Sequence, residues 1–299
     1  MELRHIRYFM AVAEAGNFTR AAQTLGIGQP PLSQQIRDLE DEIGVRLFHR
    51  VPHGAELTAA GAAFREEAKG AIIAAERAKL AATRAHRGDT GRIALGFTTS
   101  AAFTPVVSGT IRRFRARWPE VELSLAEMNS NLLLERLGRG ELDAAFIRPG
   151  LEPPKDMRLW RLPDERMMIA LPVRHRLAAH KQLPLTAIEG EPFVAFPRMV
   201  GLSLYSDIVT ACRAAGFELN VTQEAPQMTA VVNLVAADLG LSIVPASLAQ
   251  IHLEGVTYRP IEGDTLVARL ALTMLKSQRS PVAFNLAGLL PTNPVTGNV

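Results

Sequence analysis

The segment IGQPPLSQQIRDLE, residues 27 to 40, constrains the fold of the N-terminal region more than any other stretch of the sequence. Two consecutive prolines, Pro30 and Pro31, are tolerated in the first turn of a helix, because the N–H groups there have no intrahelical partner. The apolar residues that follow recur at helical spacing: Leu32, Ile36, Leu39 and Ile43. The pattern predicts a helix that begins abruptly at the prolines and buries one face.

A second short helix precedes this one. Asn17 is a good N-cap residue, and the residues from Phe18 to Leu25 are apolar at i, i+3, i+4 and i+7. Gly26 and Gly28 then break the chain. Two short helices joined by a sharp turn predict a helix-turn-helix motif.

The second helix would place Ser33, Gln34 and Arg37 on its outer face, near its N-terminal end. Glutamine and arginine can make bidentate contacts with base edges, a serine can contact a phosphate or a base, and the free N–H groups of the first turn favour a phosphate. Four acidic residues near the C-terminal end, at positions 38, 40, 41 and 42, would point away from the DNA. An ordinary amphipathic helix with a solvated face explains these few residues equally well.

Overall charge does not show whether this region binds DNA, because residues 1 to 55 hold six arginines and six acids. The placement of basic residues is more informative than their number. In the stretch RLFHRVPHGAELT, residues 46 to 58, Pro52 and Gly54 stand at a predicted hairpin turn, with Arg50 and His53 at its basic tip. It predicts a wing beside the second helix, although a plain surface turn has the same signature.

A long helix is predicted from the cap at Thr58 to about His86, which would be about 45 Å long. Its apolar residues are spaced 4, 3, 4, 3 and 4 apart, as in a heptad seam: Phe64, Ala68, Ala71, Ala75, Ala78 and Ala82. Because alanine lets two helices approach closely, the seam favours a dimer contact over a buried internal helix.

The opening MELRHIRYF and the ordered run A-A, L, Q-P-P-L-S, I, L-E, G, L-F-R, L-T, G resemble the N-terminal region of LysR-type transcriptional regulators. The opening and the paired prolines resemble most the branch that controls breakdown of benzoate, muconate and chlorinated catechols. This sequence carries Gln34 where several relatives have arginine, and His53 where some have a wing arginine. The resemblance implies a set of DNA-contacting residues: Thr19, Arg20, Gln29, Pro30, Ser33, Gln34, Arg37, Arg50 and His53.

The remaining two hundred residues alternate between predicted strands and helices, which predicts α/β structure with a parallel sheet. The resemblance implies a two-lobed effector domain like a periplasmic binding protein. The predicted fold is therefore a winged helix-turn-helix at residues 1 to 58, a linker and dimerisation helix at 59 to 87, and an α/β effector domain at 88 to 299. Lobe I would comprise about 91 to 161 and 267 to 299, and lobe II about 162 to 266.

Polar residues follow the predicted strands where open α/β sheets bind ligands. Hydroxyls and free N–H groups there suit a carboxylate, although each hydroxyl taken singly is more simply a helix N-cap. Taken as a converging set, they favour an inducer site between the lobes: Thr99, Ser100, Asn129, Ser130, Arg148, Phe196, Pro197 and Ser203.

Catalysis is poorly supported, since GxxxxGK[ST], HExxH and GxSxG motifs are absent and the seven histidines are scattered. We therefore expect no enzyme activity, no cofactor and no metal. The single cysteine, the lack of an apolar run of about 18 residues and the lack of a signal-peptide pattern predict a cytoplasmic protein without membrane contact.

These features together predict a DNA-binding transcriptional regulator. Its partners would be double-stranded promoter DNA, an inducer that is an aromatic acid or a dicarboxylate, other copies of itself and RNA polymerase. Tetramer formation is implied by the resemblance alone. Two other classes remain as alternatives. An architectural or constitutive DNA-binding repressor would need no ligand, and an enzyme with a fused regulatory head would need a catalytic cluster in the cleft.

Overall fold

The computed structural model describes residues 1–52, 54–150, 155–197, 202–263 and 266–291, although not the side chains of residues 202 and 203. The chain divides into two compact units, Met1–Arg84 and Ala85–Val299. Each unit has a hydrophobic core of its own.

The first unit consists of three helices, a hairpin and most of a fourth helix. These are α1 (Leu3–Ala15), α2 (Phe18–Leu25), α3 (Gln29–Ile43), the antiparallel strands β1 (Phe48–Val51) and β2 (Gly54–Leu57), and α4 (Ala59–Arg87). Both prolines lie at the start of α3. The Asn17 side chain accepts hydrogen bonds from the backbone N–H groups of Thr19 and Arg20. Gly26 ends α2 at φ +67°, a left-handed conformation that suits glycine and makes the sharp turn.

Aromatic rings hold this unit together. Phe9 of α1 is fully buried, with its ring centroid 5.1 Å from that of Phe48 in β1 and 4.8 Å from that of Phe64 in α4. Phe18 of α2 lies 5.8 Å from Phe48. A Cβ on Gly61 would lie 2.0 Å from the carbonyl oxygen of Leu47, so only glycine allows α4 to start this close to the hairpin. Helix α1 was not predicted; its residues Ile6, Phe9 and Val12 are buried in the core.

The heptad seam of α4 is not a single surface. Phe64 and Ala68 pack into the core of their own unit, and Ala68 is 3% exposed. The interpretation of the whole row as a contact between two copies is wrong for these two residues, because the first turns of α4 cover α1 and the hairpin. Farther along, Ala71, Ala78 and Ala82 are exposed.

Lobe I of the second unit is a five-stranded sheet with helices packed against it. Strands β3 (Gly91–Phe97), β4 (Val121–Glu127) and β5 (Ala144–Ile147) are parallel. Strand β11 (Val267–Leu275) is antiparallel to β5 and to the first part of β6 (Met157–Pro172). The helices are α5 (Thr99–Ala102), α6 (Pro105–Arg117), α7 (Ser130–Gly138) and α10 (Pro281–Ala287).

Lobe II is built on the second part of β6. This part pairs with β9 (Ser242–Pro245) and with β10 (Val256–Pro260). Strands β7 (Pro192–Ala195) and β8 (Asn220–Glu224) are parallel, and Val194 N–H donates to the Leu241 carbonyl, 2.8 Å away, beside β9. Helices α8 (Leu202–Ala214) and α9 (Met228–Ala236) complete the lobe.

Strand β6 joins the two lobes. It pairs with β11 as far as Arg166 and with β9 from Met167 onward. The lobe change predicted at residues 161 and 162 therefore falls inside one continuous strand. The predicted fold class, a helix-turn-helix region followed by a two-lobed α/β region, is confirmed. In the part of the chain that the structure describes, no helix is both long and apolar enough to span a bilayer.

Candidate DNA-recognition face and interlobe cluster

The N-terminal half of α3 presents a polar surface formed by Gln29, Pro30, Gln34 and Arg37, here called the recognition face. Pro30 and Gln34 are exposed, and Gln29 and Arg37 are half-buried. The Gln34 Oε1 atom accepts a hydrogen bond from Arg37 Nη2 at 2.6 Å, and Gln34 Nε2 donates to Asp38 Oδ1 at 2.7 Å. The two predicted base-contacting residues therefore touch each other before any DNA is bound.

Ser33 does not lie on the outer face, and that part of the prediction is wrong. Its side chain is 4% exposed because it lies between α3 and the hairpin, where its hydroxyl accepts a hydrogen bond from Arg50 Nη2 at 3.2 Å. The Arg50 guanidinium also stands 5.3 Å from the centroid of the Phe18 ring, a cation–π contact. Ser33 and Phe18 thus hold an exposed wing arginine beside the recognition face.

The other predicted DNA-contacting residues are distributed around this face. Thr19 and Arg20 are exposed at the start of α2. His53 lies outside the described residues. The structure therefore joins Gln34 to Arg37 and Ser33 to Arg50, while Thr19 and Arg20 stand on the preceding helix.

Glu40 is a structural residue that the sequence analysis misplaced among the outward acids. It is 5% exposed, and its Oε1 atom accepts from the backbone N–H groups of Leu47 at 2.8 Å and Phe48 at 3.1 Å. Its Oε2 atom pairs with Arg46 Nη1 at 2.8 Å. Glu40 fastens the hairpin to α3. Glu40 lies four residues after the buried Ile36, and residues four apart share one face of a helix. This spacing could have placed it on the buried side.

In the second unit, Arg148 is the centre of a buried polar cluster at the end of β5. The side chain of Arg148 is 5% exposed, and its Nη2 atom lies 2.7 Å from Glu165 Oε2. Its Nε atom donates to Ser100 Oγ at 3.2 Å, and its Nη1 atom to the Ala268 carbonyl at 3.2 Å. Burial lowers the pKa of Arg148, and the charge of Glu165 opposes that shift.

The same cluster links the two lobes. The second carboxylate oxygen of Glu165 accepts from the backbone N–H of Ser247, which follows β9 in lobe II. The Ser247 hydroxyl lies 3.5 Å from the Ser100 carbonyl of lobe I. Neither Glu165 nor Ser247 was predicted, because no local pattern connects positions this far apart in the chain.

The cluster changes the role expected for Arg148. Its guanidinium is engaged by Glu165, Ser100 and the backbone, so it is not offered to an incoming anion. The prediction of Arg148 as a direct inducer contact is therefore corrected: the side chain holds Glu165, and Glu165 makes the contact with Ser247 of lobe II.

The remaining predicted inducer residues of lobe I follow strands β3 and β4, at the starts of α5 and α7. Ser130 Oγ accepts from Arg148 N at 3.2 Å, and Thr99 Oγ1 donates to Glu127 at 2.5 Å. Asn129 caps α7 by accepting from Leu132 N at 2.9 Å, so the simpler interpretation applies to its side chain. Thr99, Asn129 and Ser130 are half-buried.

In lobe II, the Phe196 side chain belongs to the core at 4% exposure, with its ring edge-on to Tyr205 at 6.0 Å. Pro197 is half-buried beside it. The side chain of Ser203 lies outside the described residues. Phe196 and Tyr205 form an aromatic pair on the lobe II side, of which the sequence analysis named only Phe196.

Potential metal ligands and the single cysteine are the remaining candidates for chemistry at a site. Among the described residues, no group of three or more His, Cys, Asp or Glu side chains is arranged to hold a metal ion. Cys212 on α8 is 1% exposed, and burial raises the pKa of its thiol to about 11.

Comparison with known proteins agrees with this architecture. The family model "Bacterial regulatory helix-turn-helix protein, lysR family" matches residues 3–62, and "LysR substrate binding domain" matches residues 86–292. The regulator BudR of Raoultella terrigena is 40% identical, over 94% of this chain and 97% of its own. A probable cat1 operon transcriptional activator of Acinetobacter lwoffii is 32% identical over 88% of this chain and 86% of its own.

Solved structures agree as well. The crystal structure of CbnR, a LysR family transcriptional regulator, matches with a TM-score of 0.83 and 28% identity, covering 97% of this chain and 99% of that one. Full-length CbnR complexed with its target DNA matches with a TM-score of 0.80 and 27% identity, over 97% and 98% of the two chains. The relatives are named as regulators and not as enzymes. The chain therefore belongs to the LysR family of transcriptional regulators, with a DNA-binding helix-turn-helix and an effector-binding domain.

Proposed function

We propose that this regulator binds a promoter operator through the recognition face of α3, and that a small carboxylic acid bound between lobes I and II modulates its action on the promoter. The observation that carries the first part is the contact between Gln34 and Arg37 on the exposed N-terminal half of α3. Both side chains have the donors and acceptors that base edges require. Arg50, held by Ser33 and Phe18, is positioned to contact a phosphate or a groove edge, and Thr19 and Arg20 to contact the backbone.

The test of DNA recognition is Arg37→Ala, with Arg77→Ala as the control. Arg77 is an exposed arginine on α4, so both variants lose one positive charge from the same unit. If Arg37 contacts a base, its loss should cost about 1 to 3 kcal/mol at the operator and little on random DNA. If it contacts a phosphate, the slope of the logarithm of the binding constant against the logarithm of the salt concentration should become about one unit less steep. Equal effects of the two variants in both assays would contradict the proposal.

The inducer class follows from the chemistry around the interlobe cluster. Because Glu165 compensates the charge of Arg148, an anion there would be held by hydroxyl and N–H donors. The hydroxyls of Ser100 and Ser130 accept from Arg148 and so keep their hydrogens for such an anion, whereas Thr99 would first have to release Glu127. On the lobe II side, the half-buried Pro197 beside the core residue Phe196 supplies an apolar surface. We therefore assign the inducer as an aromatic acid or a ring-cleavage dicarboxylate, with Asn129 and Ser203 as further candidate contacts.

A thermal-shift screen of the full chain tests the inducer. A ligand at 100 times its Kd stabilises the folded state by about 2.7 kcal/mol, which raises the Tm. Benzoate-like acids and muconate-like dicarboxylates should produce such a shift, and Ser130→Ala should weaken it. The control is Ser206→Ala, an exposed serine on α8. An unchanged Tm with every acid would favour a constitutive repressor that binds no ligand.

Assembly completes the proposed function. The regulator would form dimers through α4 and tetramers from those dimers, so that two or more recognition faces bind one promoter. Exposed apolar residues on α4 support pairing along this helix. RNA polymerase is the partner that a promoter-bound activator would contact.

A further inference from the structure

Asp38, one of the four acids predicted to point away from the DNA, is exposed next to the recognition face and is bonded to it through Gln34. Arg37 Nη2 donates to Gln34 Oε1 at 2.6 Å, and Gln34 Nε2 donates to Asp38 Oδ1 at 2.7 Å. Gln35 Nε2 donates to the other oxygen, Asp38 Oδ2, at 3.3 Å. Residues three and four apart are neighbours on a helix surface, so these contacts follow from the sequence spacing. The whole chain of bonds lies on exposed or half-buried side chains.

The two flanking charges determine which way the Gln34 amide points. A guanidinium can only donate hydrogen bonds and a carboxylate can only accept them, so the amide oxygen must face Arg37 and the amide nitrogen must face Asp38. A reversed amide would place two donors together at Arg37 and two acceptors together at Asp38. Asp38 therefore opposes reversal of the amide at its nitrogen end, as Arg37 does at its oxygen end.

An amide oriented in this way still has free hydrogen-bonding groups. The oxygen has two lone pairs and the nitrogen has two hydrogens, and the contacts with Arg37 and Asp38 use one of each. One acceptor and one donor remain. This is the pair that adenine requires in the major groove, where N7 accepts and the N6 amino group donates, whereas guanine presents acceptors at both N7 and O6.

We propose that Asp38 is a positioning residue for base specificity: it fixes the orientation of the Gln34 amide so that Gln34 selects an A·T pair, with Gln34, Arg37 and Asp38 acting as one unit. This inference rests on the proposed recognition role of α3. Asp38 itself need not touch the DNA, because its effect passes through Gln34.

The experiment measures base preference with the full-length protein on a randomised duplex library at fixed salt, by selection and sequencing. The variants are Asp38→Ala, Asp38→Asn and Gln34→Ala, and the matched control is Asp41→Ala. Asp41 is an exposed acid on the same helix, so the control also removes one negative charge near the DNA. Both Asp→Ala variants should bind random DNA more tightly to a similar degree.

Wild-type protein should prefer A·T at one position of each half-site by about 5- to 150-fold, the range for a bidentate contact. Asp38→Ala should reduce this preference at least fivefold at that position. Asp38→Asn keeps an acceptor oxygen and should retain more of the preference. The double variant Gln34→Ala with Asp38→Ala should be no less selective than Gln34→Ala alone. Thermal unfolding should be unchanged, which a purely structural role would not predict.

Two outcomes separate this inference from the proposed function. If Gln34→Ala removes the preference but Asp38→Ala changes it no more than Asp41→Ala does, the role of Asp38 is overturned while recognition by α3 stands. If Gln34→Ala leaves the preference intact, the assignment of the recognition face fails, and the inference fails with it.

Discussion

At the scale of single residues, Cys212 offers a test of burial. Its thiol has a pKa raised from the ordinary 9.0 to about 11, so only about one thiol in a thousand is ionised at pH 8. A thiol-reactive disulfide should therefore label the native protein at least about 100-fold more slowly than the unfolded protein at this pH. Because the folded pKa is the higher one, stability should fall as the pH rises from 9 through 11. Rapid, complete labelling of native protein would contradict the burial of this side chain.

The residues that the sequence placed well are those whose role is local. The cap at Asn17 and the paired prolines of α3 act within one turn, so a pattern of a few residues is enough to identify them. Ser33 and Arg148 were misplaced because their partners, Arg50 and Glu165, come from other elements. A sequence pattern identifies the apolar face of a helix, but it does not show that another element will cover a polar residue such as Ser33.

At the scale of elements, the attachment of the hairpin to α3 depends on Glu40. Glu40→Ala would leave the buried N–H groups of Leu47 and Phe48 without their acceptor, each a loss of about 1 to 3 kcal/mol if no water replaces it. We expect a lower free energy of unfolding, measured by chemical denaturation, together with weaker operator binding, because the hairpin carries Arg50.

Asp41→Ala is the control for this prediction, since Asp41 is the next residue of α3 and is exposed. It should change the free energy of unfolding by less than about 0.5 kcal/mol. If both variants unfold at the same denaturant concentration, the bonds from Glu40 to the hairpin contribute nothing measurable.

Strand β6 shows why some elements could not be predicted in full. The apolar segment RMMIALP, residues 166 to 172, predicts only the last part of this strand, whereas the strand begins at Met157. The missed part contains Pro163, which lacks an N–H group, and several charged residues. It is a strand because it pairs with β11, more than a hundred residues away, and the register shift between Ala268 and Leu270 lies opposite the proline. The pairing is long-range, so local propensity does not reveal it.

At the scale of the whole molecule, the junction of the two lobes depends on the Arg148–Glu165 pair. Arg148→Met would leave a largely buried carboxylate without its counter-ion, and removing one partner of such a pair costs about 3 to 5 kcal/mol. Urea denaturation should show this loss, and adding Glu165→Gln should recover part of it. Arg139→Met, at an exposed ion pair, should have a small effect. Equal losses from the two arginine variants would show that the buried pair does not hold the junction.

Assembly of the molecule depends on which side of α4 meets another copy. Ile73 and Leu80 are 58% and 60% exposed and lie seven residues apart, so they share one face of the helix. That face is turned about 180° from Ala82 in the predicted seam. Exposed side chains of this size contribute more to association than exposed alanines, because they bury more apolar area. We therefore expect the Ile73 face, and not the alanine row, to form the dimer contact.

Two variants with opposite expectations decide between these faces. Ile73→Glu with Leu80→Glu should place like charges in the contact and convert dimers or tetramers to smaller species in analytical ultracentrifugation. Ala78→Glu with Ala82→Glu should leave the mass unchanged if the alanine row is not in the contact. The reverse pattern would restore the alanine seam as the interface. Because a promoter-bound dimer contacts the DNA twice, the variant that dissociates should also lose most of its operator affinity while its affinity for random DNA changes less.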